Sequence, residues 1–182
     1  MATVRAALAV AALRGFKPKA RDATQAFIQA RIDGPGRPKT WVRLPKSWWP
    51  DSWYDTQGHP LYYDPVVPLN RALYGHPESG ALWDKHFKDI LRKLGWSKVE
   101  SHPGLYVHES TKAVLVVYVD DLLLAAPADV GSKLWSEIGH NVQFGGPPEP
   151  IGKFLGGHRR VTSQGGLTTS TCQMKDFLLD AV

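Results

Sequence analysis

Cysteine is almost missing from this 182-residue chain. Only Cys172 is present, so no disulfide can close within it. A disulfide scaffold is excluded, and the composition suits a reducing, intracellular setting, cytoplasm or nucleus. Cys172 itself reads as an ordinary small residue. Long hydrophobic runs are also lacking: none approaches the ~20 residues of a membrane-spanning helix. The nearest candidate, "VRAALAVAALRG", is closed by Arg14 and Gly15 and has no small-residue cleavage pattern, so it reads as a buried helix and not a secretory leader. A membrane partner is therefore not expected. Repeats and low-complexity tracts are absent, which leaves one domain as the natural organisation for this length. Acids are scarce at the start. Within residues 1–50, Asp22 and Asp33 face ten Lys and Arg, although the whole chain carries only +5. A basic first part beside a more acidic remainder suits a phosphate-rich polymer, and equally a solubilising surface.

What the chain does have is a 43% hydrophobic composition, enough for a core, and one unusual stretch, "VLVVYVDDLLLAA". Two apolar runs of strand length flank two adjacent aspartates, which reads as a β-hairpin with Asp120-Asp121 at its tip. A two-residue tip ordinarily uses Asn-Gly or Asp-Gly, because positive φ is needed there. Adjacent carboxylates repel, more so beside apolar strands that exclude water. Either the turn is simply solvated, or a divalent cation relieves the repulsion. Mg²⁺ is held by one or two carboxylates with phosphates and water completing its shell.

Around the hairpin, residues 4–13 predict a helix stopped by Gly15. Residues 17–26 are ambiguous, since Pro18 and Arg21 weaken a strand. Residues 33–41 form a Gly/Pro loop. The aromatic stretch "LPKSWWPDSWYDTQGHPLYYDPVVP" predicts an ordered, extended segment whose rings either fill a core or stack on bases. Residues 80–94 give the clearest amphipathic helix, with Leu82, Trp83, Phe87, Ile90, Leu91 and Leu94 on one face and Gly95 at its end. Two strands joined by a polar turn at 109–112 lead into the aspartates. A further helix spans 131–139, "GGPPEP" is a rigid loop, two short strands surround Gln164, Gly165 and Gly166, and a last helix starts in "MKDFLLDAV". The pattern predicts an antiparallel sheet with helices on one face.

The residues and their order together resemble a known family. Tyr118, Val119, Asp120 and Asp121 are similar to the YVDD motif of reverse transcriptases, closest to the copia-type (Ty1/copia) LTR retrotransposon enzymes. "RDATQAFI" resembles the family segment that carries the first catalytic aspartate. "LNRALYG" resembles its Leu-Tyr-Gly segment, with Trp83 following at the family distance. "LGW", "HPGLY", "KFLGGHRR" and "LTTSTCQMKDFLLD" are similar to the segments around and after the hairpin.

The resemblance implies an α+β fold: a right-hand polymerase palm with an antiparallel sheet and packed helices, partial fingers and a truncated thumb. Residues 1–182 would be one reverse transcriptase domain fragment of a Pol polyprotein. Residues 1–75 would hold partial fingers and the first palm motif, 76–160 the palm, and 161–182 its end and the start of a thumb. The implied activity is RNA-directed DNA polymerisation by two-metal nucleotidyl transfer, using two Mg²⁺ ions with Mn²⁺ as a substitute. Asp22, Asp120 and Asp121 are the implied catalytic residues, joined as metal ligands by the carbonyl of Ala23. Phe27, Arg71, Glu78 and Tyr118 are the implied nucleotide-binding residues, Phe27 lying under the sugar. From the residues alone, Phe27 is a core aromatic and Arg71 a surface cation. The implied partners are template-primer RNA/DNA, dNTP, and other Pol segments; integrase and RNase H are not recognisable here.

The sequence departs from the family in places. Asp22 sits between Arg21 and Ala23, where the family prefers apolar residues. "HPESGA" replaces a more cationic stretch after Gly75 and puts the acid Glu78 where the family has an amide. A non-catalytic remnant keeping the palm fold and weak nucleic-acid binding is the alternative.

Overall fold

The computed structural model describes residues 2–155, 157–164 and 167–173. In chain order it runs α1 (Ala2–Arg14), β1 (Lys17–Asp22), α2 (Ala26–Gln29), β2 (Trp41–Arg43), β3 (Val66–Pro68), α3 (Ser79–Lys93), β4 (Trp96–Lys98), β5 (Leu105–His108), β6 (Val114–Tyr118), β7 (Asp121–Ala126), α4 (Gly131–Gly139), β8 (Glu149–Pro150), β9 (Lys153–Phe154), β10 (Gly157–Gln164) and β11 (Leu167–Gln173). Six of the strands make one antiparallel sheet in the order β4-β5-β6-β7-β1-β8. β9, β10 and β11 form a second sheet, and β2 pairs with β3 as a two-stranded ribbon. Helices and antiparallel sheets together make the fold α+β.

β7 explains how the main sheet is buried. Past Asp121 every residue of the strand is buried, and successive side chains alternate faces. Leu122, Leu124 and Ala126 meet Trp83, Phe87 and Leu91 of α3 and Leu134, Trp135 and Ile138 of α4. Leu123 turns the other way, into a cluster with Leu105, Val114, Val116 and Phe154 that α1 covers through Val4, Ala7 and Leu8. Helices therefore pack on both faces, which corrects the expectation of helices on one. The reason lies in α1: its buried Val4, Ala7, Leu8 and Ala11 recur at one helical face, and the alanines let the helix lie close to the sheet. The helix stops where predicted, with Gly15 at φ 65°.

Other elements refine the expectations. The ambiguous 17–26 stretch splits into β1 and the short α2. Proline is tolerated in β1 because β8 flanks it only at Lys19 and Ala20, leaving the rest of that side an edge. The loop "GGPPEP" supplies β8 itself, so its Glu149 and Pro150 are paired rather than looped. The aromatic stretch runs from the end of β2 and finishes in β3, with single-turn 3-10 helices at Lys46–Trp48 and Asp51–Trp53. It builds its own small core: Trp49 donates its indole N–H to the Leu44 carbonyl (3.0 Å) and meets Trp53 edge-on at 5.6 Å. β10 and β11 are longer than the short strands predicted, eight and seven residues, and Gln164 is the last residue of β10 and not part of the turn. The helix predicted in "MKDFLLDAV" lies outside the described residues. No helix among the described residues is long and apolar enough to cross a membrane.

Candidate active site

The aspartate hairpin has a different tip from the one expected. Tyr118 pairs with Asp121 across the turn, so the two-residue tip is Val119-Asp120, and Asp121 is the first residue of β7. Val119 takes φ 55°. One positive φ at the first turn position is the pattern of a type II′ turn, where glycine is usual. The shift by one residue divides the work of the two acids. Asp120 sits at the tip, while Asp121 lies on the sheet directly opposite Asp22 at the end of β1. Tyr118, Asp121 and Asp22 thus form one cross-strand row over β6, β7 and β1, on the same face.

The three carboxylates feel one another. Burial pushes the Asp22 carboxyl above its ordinary pKa, and Asp120 adds to the rise. Burial does the same to Asp121, reinforced by Asp120 and then by Asp22. Like charges gathered at a partly desolvated strand end are held there by backbone. The Ala23 N–H donates to the Asp120 carbonyl at 2.8 Å, tying the tip to the end of β1.

A strap at 143–146 braces the other side of Asp22. Gly145 N–H donates to the Asp22 carbonyl (3.2 Å), and Thr24 N–H donates to the Gln143 carbonyl (3.0 Å). Gln29 locks this strap through both ends of its amide. Its Nε2 donates to the carbonyls of Thr24 (2.6 Å) and Gln143 (3.0 Å), and its Oε1 accepts from Gln143 N–H (2.8 Å). Arg21, out of place by the family pattern, has a structural use. Its guanidinium lies 4.1 Å from the Phe144 ring centre, and its Nε donates to the Gly146 carbonyl at 2.6 Å. Strand alternation turns it away from the face that carries Asp22.

The donor set at the strand end is all oxygen, as hard cations require. Among the described residues, no three His, Cys, Asp or Glu side chains close into a ready-made cation cage. The cluster is open, and it suits Mg²⁺ that arrives with phosphate oxygens for its remaining positions better than a resident structural ion. On that chemistry the residues fit the metal.

A family model described as "Reverse transcriptase (RNA-dependent DNA polymerase)" matches residues 1–133. The chain belongs to this reverse transcriptase family. A yeast relative, "Putative transposon Ty5-1 protein" of Saccharomyces cerevisiae, is 27% identical over 165 residues, covering 88% of this chain and 47% of the relative. The chain therefore spans about half the length of the curated relative it matches. Both findings agree with the copia-type retrotransposon Pol fragment that the motifs resembled.

In this reverse transcriptase chain the remaining sequence candidates occupy the flank of the hairpin. Phe27, on α2, packs against Tyr74 with ring centres 4.6 Å apart and planes tilted by 46°, and it lines a cavity with Trp83 and Val119. Arg71 donates from Nη1 to the Gln29 carbonyl (2.8 Å), so it braces α2. Glu78 is exposed at the start of α3 with Arg37 3.9 Å away. Tyr118 is exposed at the end of β6. The structure thus brings Asp22, Asp120, Asp121 and Tyr118 together and sets Phe27 beside the turn, with Glu78 farther along the α3 side. Sequence reading missed Gln29 and the bonding role of Trp83. Gln29 follows Phe27 by two residues inside a recognised motif, but its partner Gln143 is 114 residues away, and no local pattern signals that pairing.

Proposed function

We propose that this chain carries the catalytic palm of a copia-type RNA-directed DNA polymerase, with partial fingers in 1–75, palm in 76–160 and the start of a thumb in 161–182. The reaction joins a primer 3′ oxygen to the α-phosphorus of a dNTP and releases pyrophosphate, on a template-primer of RNA or DNA. Two Mg²⁺ ions, or Mn²⁺ in their place, would supply activation of the attacking hydroxyl and neutralisation of charge on the leaving group. Asp22, Asp120 and Asp121 hold them, with the Ala23 carbonyl as a further ligand.

The remaining residues bind and orient the nucleotide. Phe27 supports the sugar with a ring that Tyr74 keeps in place, which disfavours a 2′-hydroxyl. Tyr118 extends the row beside Asp121. Arg71 offers positive charge for phosphate near α2. Glu78 opposes the triphosphate, and Arg37 partly offsets its charge. The observation that carries this reading is the tied cluster itself: Asp22 opposite Asp121, Asp120 bonded through its backbone to Ala23, and raised pKa values in the first two.

Primer extension at low salt with Mn²⁺, on a homopolymer template, tests it. Incorporation should fall by at least about a hundredfold in Asp120→Ala, the scale seen when electrostatic stabilisation is removed from an active site. Incorporation that survives in Asp120→Ala would contradict the assignment of the site to Asp120, and a chain that binds nucleic acid but extends nothing under any condition would favour the remnant instead.

A further inference from the structure

Trp83 is buried in α3, 2% exposed, with its ring against Phe87 at 5.3 Å. Its helix faces the core, and an ordinary core position would be served by any large apolar side chain. Yet the indole Nε1–H donates to the carbonyl of Val119 at 2.7 Å, across 36 residues of sequence. Val119 is the residue at positive φ in the turn, a conformation a β-branched side chain adopts only under constraint. The residue is 44% exposed, so burial does not supply that constraint. The next peptide is anchored too, since the Asp120 carbonyl accepts from Ala23 N–H. Asp120 therefore hangs between two pinned peptides, one tied to α3 and one to β1.

The space under the turn makes the first tie matter. A cavity of about 150 Å³ lies there, lined by Phe27, Trp83, Gly104, Tyr106, Val117 and Val119. A turn backed by open volume can settle into it once its bond is lost, where a tightly packed one could not.

We infer that Trp83 is a positioning residue for the reaction proposed above. Its indole N–H holds the strained Val119 peptide, and through it the place of the Asp120 carboxylate relative to Asp22 and Asp121. This inference rests on the metal-site reading. It differs from a core role in one respect: only the N–H is essential, and it is essential only while residue 119 is strained.

Mn²⁺ titration followed by electron paramagnetic resonance separates these ideas without needing turnover. Asp120→Asn should lose most of the binding. Trp83→Phe, which keeps an aromatic ring and removes the donor, should weaken Mn²⁺ binding by about five- to tenfold, the worth of one hydrogen bond. Adding Val119→Gly to Trp83→Phe should recover much of that loss, because glycine holds positive φ without strain. Wild-type affinity in Trp83→Phe, with binding lost in Asp120→Asn, would overturn the inference and leave the site standing. So would a loss in Trp83→Phe that glycine does not recover, which is what plain loss of packing gives. Unchanged binding in Asp120→Asn would instead overturn the site, and the inference with it. If Trp83→Phe does not fold, the unsubstituted chain still decides. Its Trp83 indole proton should be protected from exchange and should shift on Mg²⁺ addition, with no shift in Asp120→Asn. A freely exchanging proton, or one indifferent to Mg²⁺, contradicts the clamp.

Discussion

Asp121 carries a stability cost in this chain, set by burial and by the two neighbouring acids. Burial, Asp120 and Asp22 all raise its pKa above the ordinary 3.8, so the folded state holds its proton more tightly than the unfolded state does. Its contribution to stability is therefore fully present below that ordinary value and is lost as pH rises through the raised one. At neutral pH without divalent cations the ionised group is a net burden. Asp121→Asn should raise the melting temperature in chelator at pH 7 by about 1–3 °C, the effect of roughly 0.5–1 kcal/mol in a chain of this size. The gain should vanish when melting is repeated near pH 3.5. A variant less stable than the parent at pH 7 would mean that Asp121 is held by favourable partners and not by crowding. The acids themselves were legible in the sequence because two adjacent carboxylates between apolar strands have few bland uses. Their division between tip and strand was not, because the register depends on Val119 accepting a φ that local rules assign to glycine or asparagine.

At the scale of elements, the hairpin depends on its neighbour β5. Gly104, at φ 75°, precedes that strand, and a Cβ built there would lie 2.4 Å from the Val117 carbonyl oxygen. The same backbones touch through the Val117 N–H, which donates to the Gly104 carbonyl at 2.8 Å. Gly104→Ala combines a positive φ with a clash against backbone, and should cost about 2–4 kcal/mol, read as a lower urea midpoint at unchanged slope. A midpoint within error of the parent would show that β5 and β6 can separate without penalty. Helices α3 and α4 were readable from their apolar faces. β1 was not, because Arg21 and Pro18 violate strand rules. The structure resolves both by long-range means: an aromatic shelf from Phe144 under Arg21, and an edge position for Pro18. The bond from Trp83 to Val119 was invisible for the same reason, since periodicity places a side chain on a face but not its polar atom against a partner.

For the whole molecule, the main sheet is covered on both sides, by α1 on one face and by α3 and α4 on the other. The acidic cluster lies where β1 ends and β7 begins. The charge asymmetry of the sequence fits this plan, since β1 and Asp22 lie within the basic first fifty residues. One face of helices was the natural expectation from sequence, because the alanine-rich α1 carries no strong contrast between its sides. The family was legible because its motifs keep their order along the chain; the partners that brace them were not, because they join residues far apart in sequence. The central claim is that Asp22, Asp120 and Asp121 together hold divalent cations in the folded chain. It is tested most directly by melting the protein with and without Mg²⁺ or Mn²⁺, beside Asp120→Asn. An ion that binds only the folded state, at ten times its dissociation constant, adds about 1.4 kcal/mol, or roughly 3–6 °C here. The account predicts that rise for the parent and little of it for Asp120→Asn. An equal rise in both, or none in the parent at tens of millimolar cation, would contradict it.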